Sequence, residues 1–143
     1  MRQVKDYPLW IGHAGDGDNF RRVLDAGIRA IVQLAYEEPP LHPPRELLYC
    51  RFPLIDGPDN EPANLSLAIM ALANLLEKRV PTLVCCGAGM SRSPAIAAAA
   101  LSMVYQESPD DCLKQIVEHQ PGDVAPGLWA EVKAILDAFR EVS

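Results

Sequence analysis

Apolar positions along this chain fall into short blocks of two periods. Leu9-Trp10-Ile11, Ile28–Leu34, Leu47–Phe52 and Pro81–Cys85 are compact apolar runs bounded by Gly, Pro or charged residues, which predicts strands, the second buried on both faces. Longer stretches at Ala63–Arg79, Pro94–Gln106, Pro109–His119 and Gly127–Val142 carry helical spacing. A shorter helix is predicted over Asn19–Ala26, with Asp18 as its N-cap and Gly27 closing it. Ser93-Pro94 and Ser108-Pro109 each read as a cap followed by proline in the first turn. Gly12 to Gly17 reads as a glycine-rich turn. Residues 37–46, with Pro39, Pro40, Pro43 and Pro44, and residues 53–62 read as loops.

Strands alternating with helices, then a helical C-terminal third, predict an α/β fold with a central, mostly parallel sheet covered on both faces. At 143 residues, with 49% hydrophobic residues, the chain is expected to form one domain, residues 1–143, with a buried core. The net charge of −6 argues against nucleic acid or an anionic membrane surface as partner. No apolar run approaches the ~20 residues of a membrane span. The first residues lack the apolar core of a secretory signal. The four cysteines, two of them adjacent, do not form a disulfide-framework pattern, so a reducing cytoplasm is expected.

The candidate chemistry lies in Leu83-Val84-Cys85-Cys86-Gly87-Ala88-Gly89-Met90-Ser91-Arg92-Ser93-Pro94. The order is strand, tight loop, helix N-terminus, with a thiol at one end of the loop and a guanidinium at the other. Backbone N–H groups and the helix dipole of such a loop face an anion, and a guanidinium binds two phosphate oxygens at once. The same field favours a thiolate, which makes Cys86 a candidate nucleophile. In open parallel sheets ligands sit beyond the carboxyl ends of strands, where Cys86 falls.

Cys86, five residues and Arg92, with Gly89 central and Ser93 following, resembles the loop of the protein tyrosine phosphatase superfamily, most closely the small atypical dual-specificity phosphatases. The order of elements from Leu9 to Phe139 is similar to theirs as well. The resemblance implies a cysteine-phosphatase fold and phosphomonoester hydrolysis through a cysteinyl-phosphate, with no cofactor and no metal. Cys86 would be the nucleophile. Arg92 and the amides of Gly87, Ala88, Gly89, Met90 and Ser91 would bind phosphate. Ser93 would donate to the departing sulfur, and also suits a helix cap. The family's general acid is an aspartate about thirty residues before the nucleophile, on a loop after a strand. Asp56 stands there in Phe52-Pro53-Leu54-Ile55-Asp56-Gly57-Pro58, and Asp59 is its competitor.

Two departures stand out. The family's histidine before the nucleophile is Cys85 here, and its Arg-Pro and Pro-Asn near the last helix are Gln120-Pro121 and Pro126-Gly127. Cys85 reads as a core residue, turned away from Cys86 by strand alternation. A second reading makes Cys85 or Cys50 a redox partner of Cys86. His13, His42 and His119 have no ligand spacing and read as surface or loop residues. Trp10 and Trp129 read as core or groove packing.

The loop from Cys86 to Arg92 holds no lysine or histidine, which disfavours polyphosphoinositides and RNA triphosphate ends. The chain is also too short for the insertions that deepen tyrosine-only clefts. A phosphorylated protein, on tyrosine and also on serine or threonine, or a small phosphomonoester is the expected substrate. The competing readings are a phosphate-binding module without activity, which would usually lack the nucleophile or the acid, and a rhodanese-like sulfur or thiol-redox enzyme.

Overall fold

The computed structural model describes residues 1–118 and 122–142. His119 and Gln120-Pro121, discussed above, lie outside the described residues. The elements in chain order are β1 (Arg2–Gln3), β2 (Leu9–His13), α1 (Ala14–Gly17), α2 (Phe20–Asp25), β3 (Ala30–Ala35), β4 (Leu48–Leu54), α3 (Pro62–Glu77), β5 (Thr82–Cys86), α4 (Arg92–Tyr105), α5 (Pro109–Glu118) and α6 (Pro126–Val142).

One five-stranded sheet has the order β1-β2-β5-β3-β4. Only β1 runs antiparallel; β2, β5, β3 and β4 are parallel. The chain leaves β2, skips a position for β3, and returns later to fill the gap with β5. Every residue of β3 and β5 is buried, as parallel strands covered on both faces require. Side-chain alternation divides β5 between two cores. Val84 and Cys86 join the larger one, shared with α3, α4, α5 and α6. Leu83 and Cys85 join the smaller one, with Val23 and Ile28, against which Phe20, Leu41 and Trp10 pack.

α4 is the hub of the larger core. All residues from Arg92 to Ser102 are buried. The small side chains of Ala95 and Ala97–Ala100 let the sheet and the flanking helices approach it closely.

Several boundaries differ from the sequence reading. Gly12 and His13 extend β2, and residues 14–17 form a helical turn, capped by His13 Nδ1 accepting from Gly15 N at 3.0 Å. Asp18 ends that turn. The N-cap of α2 is Asn19, whose Oδ1 accepts from Arg22 N at 3.3 Å. Gly27 closes α2 with a φ of +84°, as its position predicts. Pro53 lies inside β4, next to a register shift opposite Gln33 and Ala35; β4 is an edge strand, where a missing N–H costs little. α4 starts at Arg92, so Ser93-Pro94 falls within its first turn, where the helix has no acceptor for the N–H that Pro94 lacks. Ser91 holds the cap position instead. The cap before α5 stands: Ser108 Oγ accepts from Asp111 N at 3.2 Å.

Trp129 packs against the larger core, and its indole N–H donates to Asp110 at 2.9 Å. No described helix is long and apolar enough to cross a membrane.

Candidate active site

Cys86 ends the central strand β5, and the loop 87–91 turns over it into α4. Gly89 makes that turn possible, with a φ of +74° and no space for a Cβ, which would lie 2.8 Å from Gly12 O. The loop's carbonyls are pinned from outside. Ala14 N donates to Gly87 O at 3.1 Å, and Asp123 N donates to Met90 O at 2.7 Å. Its amides are free by contrast: those of Ala88, Gly89, Met90 and Ser91 find no protein acceptor among the described residues. Successive unpaired N–H groups at a helix N-terminus form a concavity suited to an anion.

This concavity opens into a cleft of about 210 Å³ lined by Asp56, Cys86, Ala88, Met90, Ser91, Arg92 and Asp123. Of the residues singled out in the sequence, Cys86, Arg92 and Asp56 therefore share one cleft. Ala88, Met90 and Ser91 line it too, whereas Gly87 and Gly89 do not. Ser93 is fully buried, and its Oγ has no partner among the described residues, nor has Arg92 Nε. A buried polar atom left unpaired costs about 1–3 kcal/mol.

Arg92 is 5% exposed, and its terminal nitrogens are already held. Nη1 and Nη2 each donate to Glu37, both at 2.6 Å, and Nη1 also donates to Leu54 O at 2.9 Å. The Arg92 hydrogen bonds hold the Glu37 carboxyl down at about 2. The same pairing raises the pKa of Arg92. A Cβ on Gly87 would come within 3.0 Å of the Glu37 carboxylate, so the glycine leaves room for the pair.

Glu37 is one residue the sequence reading missed, in a segment read only as a proline loop. That loop is anchored from below. Gln33 Nε2 donates to Pro39 O at 2.9 Å, Tyr49 hydrogen-bonds Gln33, and Leu41 N donates to the Tyr49 hydroxyl at 3.0 Å. Arg51 adds a bond to Glu38 O at 3.1 Å. No local motif marks Glu37; its position follows from β3 lying beside β5.

The loop carrying Asp56 is organised by Asn60, 8% exposed, whose Oδ1 accepts from Ile55 N at 2.7 Å. Its Nδ2 donates to Ile55 O and Gly57 O at 3.0 and 3.1 Å. Asp59 takes a left-handed backbone (φ +73°) and donates its N–H to Glu131 of α6 at 2.6 Å. It does not line the cleft, whereas Asp56 does.

Asp123 lines the cleft as well, and the sequence reading passed over it. Two bonds seat its segment on the loop: Asp123 N to Met90 O, and Ala125 N to Ser91 Oγ at 3.0 Å.

Cys85 faces the opposite core, against Gly17. Burial, then the neighbouring Cys86, push its thiol up to about 12. Cys50 is not beside Cys86, contrary to the redox reading. It lies on β4, separated from β5 by β3, and level with Val84. Two strand spacings put their Cα atoms about 10 Å apart or more, beyond the ~7 Å that a disulfide spans.

This sheet, with a cysteine closing its central strand and a phosphate-sized loop leading into a buried helix, has the fold of the dual-specificity phosphatases. Human DUSP28 superimposes with a TM-score of 0.82 at 22% identity, covering 95% of this chain and 96% of that one. A mouse putative dual specificity phosphatase complexed with zinc tungstate gives 0.81 at 23% identity, over 94% and 86%. PTPMT1 in complex with PI(5)P gives 0.69 at 20% identity, over 85% of each chain. No protein-family model and no curated protein sequence matches the chain.

Proposed function

We propose that this chain is a cysteine-dependent phosphomonoester hydrolase that takes phosphotyrosine and also phosphoserine and phosphothreonine. The observation carrying this reading is the convergence of Cys86, Arg92, Asp56 and unpaired loop amides on one small cleft.

The Cys86 thiolate attacks phosphorus; the S–P bond forms as the P–O bond to the leaving group breaks. Asp56 gives that oxygen its proton. A water then attacks the cysteinyl-phosphate, Asp56 takes the water's proton, and the S–P bond breaks to release inorganic phosphate. The loop amides and the Arg92 face not held by Glu37 stabilise charge on the equatorial oxygens. Ser93 Oγ, unpaired in its buried position, suits donation to the departing sulfur. Glu37 acts through Arg92 as a positioning residue.

The test is hydrolysis of p-nitrophenyl phosphate with EDTA and reductant present, by wild type, Cys86→Ser and Asp56→Asn. Turnover lost in Cys86→Ser and lowered in Asp56→Asn is the expected result. No turnover by wild type favours a binding module. Thiosulfate turnover without phosphatase activity favours the sulfur-transfer reading.

A further inference from the structure

Carboxylates outnumber cations in the lining of the phosphate cleft, and this bears on what carries the phosphate. Of the residues lining the cleft, Arg92 is the one cation, and its charge is already matched by Glu37. Two carboxylates, Asp56 and Asp123, line the same cleft, and neither has a hydrogen bond from a side chain or amide among the described residues. Arg92, which lines this cleft, has its buried Nε without a partner among the described residues. Asp56 has work to do on the leaving group under the proposed reaction; Asp123 has none. Asp123 is nonetheless held at the mouth by its N–H bond to Met90 O at 2.7 Å, while Ala125 ties the following residues to Ser91.

We propose that Asp123 is a specificity-determining residue that selects phosphomonoesters with a cationic group next to the phosphate, such as a phosphotyrosine flanked by lysine or arginine. This inference rests on the hydrolase reading and narrows its substrate class. A cation beside the phosphate gains the Asp123 carboxylate as partner and offsets the negative charge accumulating at the loop. A second phosphate or a flanking carboxylate placed against Asp123 meets like charge. The net charge of −6 adds long-range repulsion of polyanions to this local effect. Asp123 is solvent-exposed, so its contribution is that of a surface ion pair and weakens with salt.

Two phosphotyrosyl peptides, identical except for lysine or glutamate on both sides of the phosphotyrosine, test this. Wild type is expected to favour the lysine peptide in kcat/KM, and Asp123→Asn to lower that ratio about two- to fivefold at low ionic strength. High salt should shrink the wild-type ratio towards that of the variant. Binding of both peptides to Cys86→Ser by calorimetry reads the same preference without chemistry. Turnover of both peptides with no lysine preference, or a ratio unchanged in Asp123→Asn, overturns the proposal and leaves the hydrolase reading standing. Lysine-selective binding to Cys86→Ser that disappears when Asp123→Asn is added, without wild-type turnover, keeps Asp123 as the selecting residue for binding and overturns the hydrolase reading. Neither binding nor turnover overturns both.

Discussion

The Glu37 carboxylate and the Arg92 guanidinium meet as a two-pronged pair, with 2.6 Å between each oxygen and its nitrogen, across 55 residues of sequence. The pair fixes the plane of the guanidinium while its Nε stays unbonded. Glu37→Gln keeps the shape but loses the charge and one of the two bonds. Its kcat/KM on p-nitrophenyl phosphate should fall about five- to tenfold, from roughly 1 kcal/mol of a charge-assisted bond discounted for exposure. Arg92→Lys should lose far more, because an ammonium cannot serve carboxylate and phosphate in one plane. Tighter binding of inorganic phosphate by Glu37→Gln than by wild type would instead make Glu37 a competitor for the site.

The same pair makes stability sensitive to acid. The folded pKa of Glu37 is lowered from 4.5 to about 2 by its hydrogen bonds with Arg92. A depressed carboxylate stabilises the fold above its unfolded value and loses that contribution as the pH falls through the folded one. Thermal melts of wild type should therefore lose stability from pH 4.5 down towards 2, and Glu37→Gln should show a shallower decline over that window. Parallel curves for the two would show that the pair contributes nothing to the fold.

Asp56 and Asp59 occupy one loop but not one environment. Asp56→Asn should slow hydrolysis of an alkyl phosphomonoester such as a phosphoserine peptide about 10²- to 10⁴-fold. The effect on p-nitrophenyl phosphate should be smaller, because that leaving group needs little protonation. Asp59→Asn, which tolerates the left-handed backbone, should stay near wild type on both. Equal effects at the two positions would count against Asp56 as the acid.

Gly89→Ala places a methyl group 2.8 Å from Gly12 O at a φ of +74°. The strain is of order 1–3 kcal/mol, and relieving it moves the loop amides. Activity is expected to collapse while the protein still melts cooperatively at a lowered temperature. An unchanged kcat would show that the loop tolerates another path.

Thiol labelling should separate the adjacent cysteines. Cys86 lines the cleft, whereas Cys85 faces a closed core with its thiol pushed up to about 12. Iodoacetamide at neutral pH should modify Cys86 and spare Cys85, read by peptide mass spectrometry, and bound tungstate should protect Cys86. Alkylation of Cys85 in the native protein would mean that the smaller core opens readily.

What the sequence determined is what depends on neighbours along the chain. The run from β5 through the loop into α4 is contiguous, so local chemistry reveals it: apolar strand, glycines where a Cβ does not fit, arginine and serine at a helix start. The order of β2 to β5 and α2 to α6 followed from hydrophobic period, which reports burial directly, whereas the two-residue β1 and the single turn α1 are too short to show one. Boundaries that missed, such as Asn19 in place of Asp18 as cap, turned on which of two adjacent polar residues the backbone presents to the helix. Tertiary structure decided what spans sequence distance. Glu37 reaches Arg92 because β3 lies beside β5, and Asp123 reaches the cleft because its segment hydrogen-bonds the loop at Met90. The same sheet order carries Cys50 away from Cys86. A lone glutamate in a proline-rich loop or an aspartate before a helix has no local pattern to betray it, since its role is set by packing between elements distant in sequence.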